Sequence, residues 1–280
     1  MIRVLIIIFI SMSLKANLLE RDDVKKFIDL AVEESNLTRE EIIDYIKDAQ
    51  PSPKAVELRS NQPEVKATWD DYRSKRVTDT RILNGVNFIN ENADIFNKVE
   101  KDYGVSKFYI ASIIGLETNY GGYLGSFNPL DTIFTRAFDP DSKFWQRELV
   151  ELLVLSKRYG LNPKEIKSSW SGAIGLGQFI PSSYNAYGVD YDYDGYVDLL
   201  NSRMDGIASV ANFLKVHGWN SNQPAAAQVA LSEQYSNLND EQIDELEFPF
   251  KINNFRTKVS PDALNLSLIH ISEPTRRTQI

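Results

Sequence analysis

The 280-residue sequence predicts a mainly α-helical fold, and three observations support this prediction. Apolar residues recur every three or four positions through several segments, which is the spacing of helices with one buried face. Typical capping residues stand at the ends of such segments, Thr38 and Ser106 at the start of two and Gly104 at the end of another. Alternation of apolar and polar residues, which would predict strands, is not sustained anywhere in the sequence.

The composition limits the chemistry that the protein can perform. With 39 acidic against 31 basic side chains the formal net charge is −8, and no basic stripe is present that would neutralise nucleic-acid phosphates. We therefore expect no nucleic-acid partner. Cysteine is absent and the two histidines are His217 and His270, which excludes disulfides, thiol nucleophiles and zinc sites with thiolate or three histidine ligands. Catalysis must depend on carboxylates, hydroxyls or amides.

Residues 1–16 have the order of a secretory signal peptide. A basic residue, Arg3, precedes the apolar run from Val4 to Ile10, and a region with small residues follows up to Ala16. We expect export and cleavage near Ala16. The alternative is an uncleaved membrane anchor, because Leu14 fits the small-residue rule of cleavage sites poorly. No other segment approaches the roughly 20 consecutive apolar residues of a membrane-spanning helix.

Residues 17–80 are predicted to hold two N-terminal helices and an extended crossing segment. Apolar spacing predicts the first helix from Asp22 to Glu34. Thr38 and Glu41 form a capping-box pattern that opens the second helix. From Pro51 to Val77 the chain carries three prolines, mixed charges and no sustained periodicity, so we expect it to cross the surface in extended form.

Residues 81–265 are predicted to form the main helical domain. One helix is expected to run through the apolar positions from Val86 to Val99 and to end at Gly104. A second helix is expected to begin after Ser106 and to end near Glu117. Three further helices are expected at Ser142 to Tyr159, Pro181 to Tyr187 and Met204 to His217.

Glu117 is the candidate catalytic residue of this domain. It ends an apolar helix, directly before an aromatic residue and a glycine turn, in the run from Ile113 to Gly121. A carboxyl group in that position is poorly solvated on one side, and loss of solvation disfavours its charged form. The pKa of Glu117 should therefore rise, which suits a general acid that works near neutral pH. The alternative is a helix-terminal glutamate that simply faces water.

A glycine-rich segment from Ser169 to Pro181 follows downstream. Gly172, Gly175 and Gly177 permit close approach of the backbone to a ligand. Gln178 offers both a donor and an acceptor to a polar substrate. The alternative is a tight loop that serves helix packing alone.

Together the two segments resemble the lytic murein transglycosylase B family, which are periplasmic enzymes that cleave peptidoglycan. The resemblance is carried by an Ile-Gly-x-Glu-Thr motif ending at Thr118 and by a Ser-x-x-Gly-x-x-Gly-x-x-Gln-Phe-x-Pro-Ser-Ser-Tyr motif starting at Ser169. It extends from Trp69 to Trp219. The resemblance implies a lysozyme-like helical domain in which Glu117 is the catalytic glutamate.

The resemblance also implies roles for other residues. The cleft-lining residues that the family motif implies are Ser169, Gln178 and Tyr184. Tyr72 matches a tyrosine that contacts substrate in the family. Tyr120 is a candidate residue of the cleft wall, with support of the fold as the alternative role. The implied partners are the glycan strands of peptidoglycan and other cell-wall enzymes, and the chemistry requires no cofactor.

A single carboxylate is enough for the implied reaction. Glycosidases normally use two carboxylates, whereas here only Glu117 stands in a strong motif. The N-acetyl group of the muramic acid unit can stabilise C1, and the 6-hydroxyl of the same sugar can attack it. Glu117 would first protonate the leaving oxygen and then accept the proton of that hydroxyl, which yields a 1,6-anhydromuramic end. The alternatives are a hydrolytic muramidase and a non-catalytic peptidoglycan-binding protein.

The run from Asp190 to Asp198 has the pattern of an EF-hand-like calcium loop inserted in the helical domain. Carboxylates stand at loop positions 1, 3, 5 and 9 and glycine at position 6. Position 12 is Asn201 rather than a bidentate glutamate. The resembled family closes a shortened loop with a later aspartate, which implies Asp205 here. The predicted ligands of one structural calcium ion are Asp190, Asp192, Asp194, the carbonyl of Tyr196, and Asp205. The alternative is an acidic surface turn that binds nothing.

Two departures from the family pattern are present. Between Asp139 and Trp145 the chain lacks the paired arginines of the family, so we expect a different preference for the acidic stem peptide. Residues 266–280 resemble translated adapter sequence and are expected to be a non-native tail. The family also carries a late segment containing tyrosine and asparagine and a final helix, which are not found in this sequence before Ile280. The C-terminal part of the helical domain is therefore expected to be missing from this chain.

Overall fold

The computed structural model describes residues 18–60, 68–138 and 142–222, together with four two-residue strands between residues 230 and 265. The chain divides into two compact units, the first ending at His217 and the second beginning at Gly218. The predicted signal peptide, residues 1–16, and the predicted tail, residues 266–280, lie outside the described residues.

Two N-terminal helices form as predicted. Helix α1 spans Asp22–Glu34 and helix α2 spans Arg39–Ile46. The capping box that opens α2 is complete, because the Thr38 hydroxyl accepts a hydrogen bond from Glu41 N at 3.2 Å and the Glu41 carboxylate accepts one from Thr38 N at 2.8 Å. The two helices pack against each other through buried apolar residues on both.

The prediction of an extended segment from Pro51 to Val77 is wrong. Its described part contains two helices, α3 over Pro53–Ser60 and α4 over Trp69–Arg76. Helix α4 shows no apolar periodicity and is stabilised at its ends instead. The Thr68 side chain accepts a hydrogen bond from Asp71 N at 3.3 Å. Acidic residues occupy the first turn and basic residues the last, which complements the helix dipole.

The single helix predicted through Val86 to Val99 is in fact two helices. Helix α5 spans Asp79–Glu91 and helix α6 spans Ala93–Tyr103. Between them Asn92 leaves helical geometry, with φ −118° and ψ 29°, and its side chain donates a hydrogen bond to Phe88 O at 2.7 Å. A short polar side chain can bond to the backbone in this way and interrupt a helix. The apolar spacing continues across the break and does not reveal it.

The remaining helices of the first unit are α7 (Lys107–Thr118), α8 (Pro129–Phe138), α9 (Lys143–Tyr159), α10 (Pro181–Tyr187) and α11 (Arg203–Val216). All except α8 begin and end within one residue of the prediction. Gly104 ends α6 in the left-handed conformation, as predicted for a capping glycine. The prediction omitted α8, although its buried apolar residues recur at helical spacing, at Leu130, Ile133, Phe134, Ala137 and Phe138.

The core of the first unit lies between two groups of helices. Helix α9 packs against α8 and α10, and α11 packs against α6 and α7. Helix α7 also contacts α5, so it lies at the centre of its group. The prediction of a mainly α-helical class is confirmed. Within the residues just described, no helix is both long enough and apolar enough to span a membrane.

The second unit contributes two short antiparallel strand pairs. Strand β1 (Ala230–Leu231) pairs with β4 (Leu264–Asn265). Strand β2 (Lys251–Ile252) pairs with β3 (Phe255–Arg256).

Candidate active site

Glu117 lies in the last turn of α7, an apolar helix that buries Ile110 and Ile114 against its neighbours. The Glu117 side chain is on the solvent-facing side of the helix. The surrounding protein still removes water from its carboxyl group, and this desolvation raises the pKa of Glu117. The positive charge of Arg76 in α4 acts in the opposite direction. The predicted rise in the pKa of Glu117 is therefore present.

Three successive residues in the left-handed conformation follow α7. They are Asn119 (φ 50°), Tyr120 (φ 62°) and Gly121 (φ 83°). Residues that carry side chains adopt this conformation rarely, and surrounding contacts must hold them there. The backbone amides of Asn119 and Tyr120 donate to carbonyl oxygens in the last turn of α7 at 3.1 and 3.3 Å. The direction in which the chain leaves Glu117 is thus fixed.

The two sequence motifs meet at Thr118 and Leu176, which are 58 residues apart. Thr118 is only 2% exposed. Its hydroxyl oxygen lies 3.0 Å from Ile114 O and 3.1 Å from Leu176 O. The same oxygen accepts a hydrogen bond from Gly121 N at 3.0 Å. The residue next to Glu117 therefore joins α7 to the glycine-rich segment.

The glycine-rich segment from Ser169 to Pro181 is packed closely against other parts of the domain. A Cβ atom on Gly172 would lie 2.4 Å from Cγ1 of Ile133, and one on Gly175 would lie 2.4 Å from Leu199 O. Both glycines also have positive φ. At these two positions the backbone lies close to neighbouring protein atoms and not to a ligand site. Helix and loop packing therefore explains why both residues are glycine.

Ser169 and Gln178 lie in this segment with partly exposed side chains. The Ser169 hydroxyl accepts hydrogen bonds from Ser171 N at 3.2 Å and from Ala173 N at 3.1 Å, which holds the loop in shape. Gln178 has a positive φ of 49°, and its side-chain nitrogen donates to Gly175 O at 3.0 Å. The amide oxygen of Gln178 can accept a hydrogen bond from a ligand, and the second N–H of its side chain can donate one.

Tyr72 lies in α4, the helix that carries Arg76. The Arg76 guanidinium stands 5.4 Å from the centre of the Tyr72 ring. Because the charge of Arg76 also acts on Glu117, α4 stands beside the end of α7. Tyr72 and Glu117 therefore belong to one region of the molecule, although α4 was not predicted as a helix.

Tyr184 lies in the core rather than on a cleft surface. It is 2% exposed, and its hydroxyl donates to Val197 O at 2.9 Å and accepts from Leu199 N at 3.1 Å. Burial raises the pKa of Tyr184 well above its ordinary value. A side chain enclosed in this way does not reach a sugar, so its expected place in the cleft is corrected. Tyr184 instead supports the chain between the acidic loop and α11.

Tyr120 makes the contacts of a supporting residue. Its hydroxyl donates to Arg81 O at 2.9 Å. A Cβ atom on Gly115 would lie 2.5 Å from Cζ of the Tyr120 ring, and one on Gly85 would lie 2.6 Å from its hydroxyl oxygen. The partly exposed ring also lines a groove of about 270 Å³ between α5 and α7. Contact between Tyr120 and substrate stays a prediction.

The acidic loop brings three carboxylates together. One oxygen each from Asp190, Asp192 and Asp194 lies within 4.8 Å of the others. Backbone N–H groups order these carboxylates, since Asp190 accepts from Gly195 N at 2.9 Å and Asp194 accepts from Tyr196 N at 2.8 Å. Gly195 has φ 89°, which is the conformation that requires glycine at the sharp turn. These oxygen donors fit a calcium ion.

Asp205 has a different environment from the three clustered aspartates. It is fully buried, and its two oxygens accept hydrogen bonds from Tyr191 N and Asp198 N, both at 2.8 Å. Burial raises the pKa of Asp205. The side chain thus connects the two ends of the acidic loop through hydrogen bonds. Its role as a metal ligand stays a prediction. The Tyr196 hydroxyl donates to Tyr159 O at 2.5 Å, which anchors the same loop to α9.

Glu148 is a structural partner of the site that the sequence analysis did not identify. It is 3% exposed in α9, and its carboxylate accepts hydrogen bonds from Ser182 N at 3.0 Å and from the Ser182 hydroxyl at 2.6 Å. It thereby anchors the start of α10, directly after the glycine-rich segment. The sequence signal that could have revealed Glu148 is a carboxylate at one of the apolar positions of α9.

Comparison with known proteins gives the family of the chain. The family described as "Transglycosylase SLT domain" matches residues 20–266. The chain is 33% identical over 208 residues to membrane-bound lytic murein transglycosylase B of Escherichia coli (strain K12). This match covers 70% of the chain and 57% of the relative, so the chain spans somewhat more than half the length of that curated relative.

Solved structures give the same result. Soluble lytic transglycosylase SltB1 from Pseudomonas aeruginosa is 33% identical, with a TM-score of 0.69 over 75% of this chain and 71% of that one. Escherichia coli lytic transglycosylase Slt35, solved in complex with calcium, is 31% identical, with a TM-score of 0.69 over 78% of this chain and 69% of that one. The chain therefore belongs to the transglycosylase SLT domain family.

Proposed function

We propose that the protein is a peptidoglycan lytic transglycosylase that cleaves the β-1,4 bond between MurNAc and GlcNAc and leaves a 1,6-anhydromuramic end. The observation that carries the proposal is the Glu117 carboxyl group at the end of the apolar helix α7, whose pKa is raised by desolvation. The similarity to lytic murein transglycosylase B and to SltB1 supports the same reaction. The helical domain is the lysozyme-like part of such an enzyme.

Glu117 acts first as an acid and then as a base. Desolvation favours its protonated form, which donates the proton to the oxygen of the breaking glycosidic bond. The bond between C1 of MurNAc and that oxygen breaks, and the N-acetyl group of the same sugar stabilises C1. The 6-hydroxyl oxygen then bonds to C1 while Glu117 takes up the hydroxyl proton. The positive charge of Arg76 stabilises the carboxylate between these two proton transfers.

The substrate is held by groups from both motifs and from α4. The Gln178 side-chain oxygen accepts a hydrogen bond from an amide or hydroxyl group of the sugar, while one N–H of the same amide group is held by Gly175 O. Ser169 shapes the loop that presents Gln178 and offers its hydroxyl to the sugar. Tyr72, held beside Arg76, provides an aromatic surface on the α4 side.

The acidic loop is proposed to hold one calcium ion with a structural role. The clustered oxygens of Asp190, Asp192 and Asp194, with the Tyr196 carbonyl as a further ligand, supply an all-oxygen site. Calcium suits such a flexible shell better than magnesium does. The similarity to Slt35, solved in complex with calcium, supports this identity of the ion. The chemistry at Glu117 requires no cofactor.

The proposed location is the periplasm, with residues 1–16 as the export signal. The relative from Escherichia coli is described as membrane-bound, and association of this protein with a membrane belongs to the same proposal. The partners are the glycan strands of peptidoglycan and other enzymes of the cell wall.

A hydrolytic muramidase is the second candidate function. The observation in its favour is the solvent-facing position of Glu117, which leaves water access to the same carboxyl group. The two reactions differ in the attacking oxygen, so they leave different ends on the glycan. A non-catalytic peptidoglycan-binding protein is the third candidate.

Digestion of purified murein sacculi, followed by mass spectrometry of the soluble muropeptides, decides among the three. A transglycosylase releases anhydro ends, which are lighter than hydrolysed ends by one water. Release of hydrolysed ends alone would support the muramidase. Binding to sacculi without any release, at a level equal to that of Glu117→Gln, would overturn both catalytic assignments.

A further inference from the structure

We propose that Thr118 is a positioning residue for Glu117, because its buried hydroxyl fixes the turn after Glu117 and joins that turn to the glycine-rich segment. The inference rests on the proposed function, in which Glu117 is the acid. It concerns a residue that makes no contact with substrate and acts through its neighbour.

The contacts of Thr118 reach three parts of the site. Its hydroxyl oxygen stands 3.0 Å from Ile114 O, one turn earlier in α7, and 3.1 Å from Leu176 O in the glycine-rich segment. It also accepts the N–H of Gly121 at 3.0 Å. The backbone carbonyl of Thr118 accepts a further hydrogen bond from Tyr123 N at 2.9 Å. One side chain therefore connects the helix, the turn and the loop.

The turn that Thr118 holds is an unfavourable one. Asn119 and Tyr120 both carry side chains and both have positive φ. Such conformations persist only where the surroundings determine them strongly, and they are concentrated at functional sites. The Gly121 amide bonded to Thr118 closes this turn. Without that bond the turn is less stable. Glu117 directly precedes Thr118, so a change in the turn is expected to change the position of the Glu117 carboxyl.

Burial gives the hydroxyl its importance. Thr118 is 2% exposed and its contact with Leu176 O is buried, so water does not replace it as a partner for that carbonyl. Loss of the hydroxyl leaves a buried acceptor, Leu176 O, and a partly buried donor, Gly121 N, without this partner. The end of α7 is then expected to relax away from the glycine-rich segment, which reduces the desolvation of the Glu117 carboxyl and moves it away from the proposed sugar position.

The test compares Thr118→Val with a matched control, Thr135→Val. Thr135 is also buried in a helix, with its hydroxyl bonded to Asp131 O four residues earlier at 2.6 Å and accepting Ser52 N at 2.8 Å from a distant segment. Both substitutions keep the shape of the side chain and remove comparable hydrogen bonds. Thr118→Ser restores the hydroxyl. Thr118→Ala replaces the valine variant where valine prevents folding.

Two readouts are measured for each variant: kcat and KM on soluble glycan strands, and the titration of the Glu117 carboxyl by carbon NMR, assigned through Glu117→Gln. For Thr118→Val we expect kcat to fall about 100-fold, the loss typical of a misplaced catalytic group, with KM changed much less. The pKa of Glu117 should fall towards its ordinary value. Thr118→Ser should restore both, and Thr135→Val should lower the melting temperature without changing either.

An unchanged kcat and an unchanged Glu117 titration in Thr118→Val, with only a lower melting temperature, would overturn the proposal. So would equal losses of kcat in Thr118→Val and Thr135→Val. A parent protein that titrates as expected but does not turn over glycan would count against the proposed function alone, because the NMR titration reports on positioning independently.

Discussion

Arg76 acts on Glu117 in opposition to the effect of burial. Desolvation raises the pKa of the Glu117 carboxyl, and the positive charge of Arg76 lowers it. A group that must first give a proton and then take one back benefits from both influences, because neither of its protonation states becomes too stable. Arg76 belongs to α4, so this balance depends on a helix of eight residues held mainly by its capping interactions.

Glu117→Gln should abolish turnover of murein sacculi, because the amide cannot donate a carboxylic proton. We expect a loss of roughly 100-fold to 10,000-fold. Retention of more than about a tenth of the parent rate would contradict the assignment, on the same scale of effects. Binding to sacculi should persist, which a sedimentation assay would measure.

Glu117→Gln should also change the way in which the free energy of unfolding depends on pH. The folded-state pKa of Glu117 is raised, so its contribution to stability is complete below the unfolded-state pKa and is lost as pH rises through the folded-state pKa. The parent should therefore lose stability relative to Glu117→Gln as pH rises above the ordinary pKa of a glutamate, as measured by thermal unfolding. A parallel dependence of the two proteins on pH would show that the carboxyl is not desolvated in the native state.

Arg76→Gln should move the pH profile of turnover. The acid must be protonated to act, so activity falls as pH rises through the pKa of Glu117. Without the Arg76 charge that pKa is higher, and the basic limb of the kcat profile should shift to higher pH. Arg73→Gln, in the same helix, is the matched control and should leave the limb in place. A shift of equal size in both variants would mean that net charge, not Arg76 itself, sets the pKa.

Millimolar calcium should raise the melting temperature by mass action on the folded state. At a calcium concentration about 100 times the Kd, the expected stabilisation is about 2.7 kcal/mol. Asp192→Ala should remove the effect, because it deletes one of the three clustered carboxylates. Asp94→Ala, on α6, should leave it intact. If calcium leaves the melting temperature of the parent unchanged, the loop is an acidic turn without a metal.

Gly175→Ala should destabilise the protein more than Gly160→Ala. Both glycines are left-handed, with φ 77° and 61°, so both substitutions carry a conformational cost of about 1–2 kcal/mol. Only Gly175 faces a backbone atom, since a Cβ there would lie 2.4 Å from Leu199 O, whereas a Cβ on Gly160 would meet nothing within 4 Å. The extra overpacking should cost about 1–3 kcal/mol in denaturant unfolding. Equal losses of unfolding free energy in the two variants would show that the chain around Leu199 moves to accommodate the added methyl group.

The sequence predicted most of the helices that have an apolar face, including α1 and α9, whose first turns have no side-chain cap. The capping box at Thr38 and the glycine at position 104 mark ends that the structure reproduces. Helix α8 was missed even though its apolar residues have helical spacing. The Asn128 side chain accepts a hydrogen bond from Asp131 N at 2.8 Å and Pro129 follows it, so a capping residue also stood at the start of this helix.

The candidate site was predictable only where one segment determines it. The environment of Glu117 follows from its own helix, and the direction of its pKa shift could be stated in advance. The link between Thr118 and Leu176 joins positions 58 residues apart, which no local pattern reveals. Tyr184 was placed in the cleft by its motif but lies in the core. A motif gives the position of a residue in the chain, whereas packing decides whether its side chain faces the cleft or the core.

The two backbone hydrogen bonds of Leu176 have a consequence for local unfolding around the site. Its carbonyl is bonded to the Thr118 hydroxyl at 3.1 Å and its amide donates to Leu199 O at 3.2 Å, just beyond the acidic loop. The amide protons of Leu176 and Gly121 should therefore exchange with solvent in a single cooperative event, at nearly the same rate. The end of α7 and the chain after the acidic loop then behave as one folding unit, and a ligand that slows exchange in one half will slow it in the other.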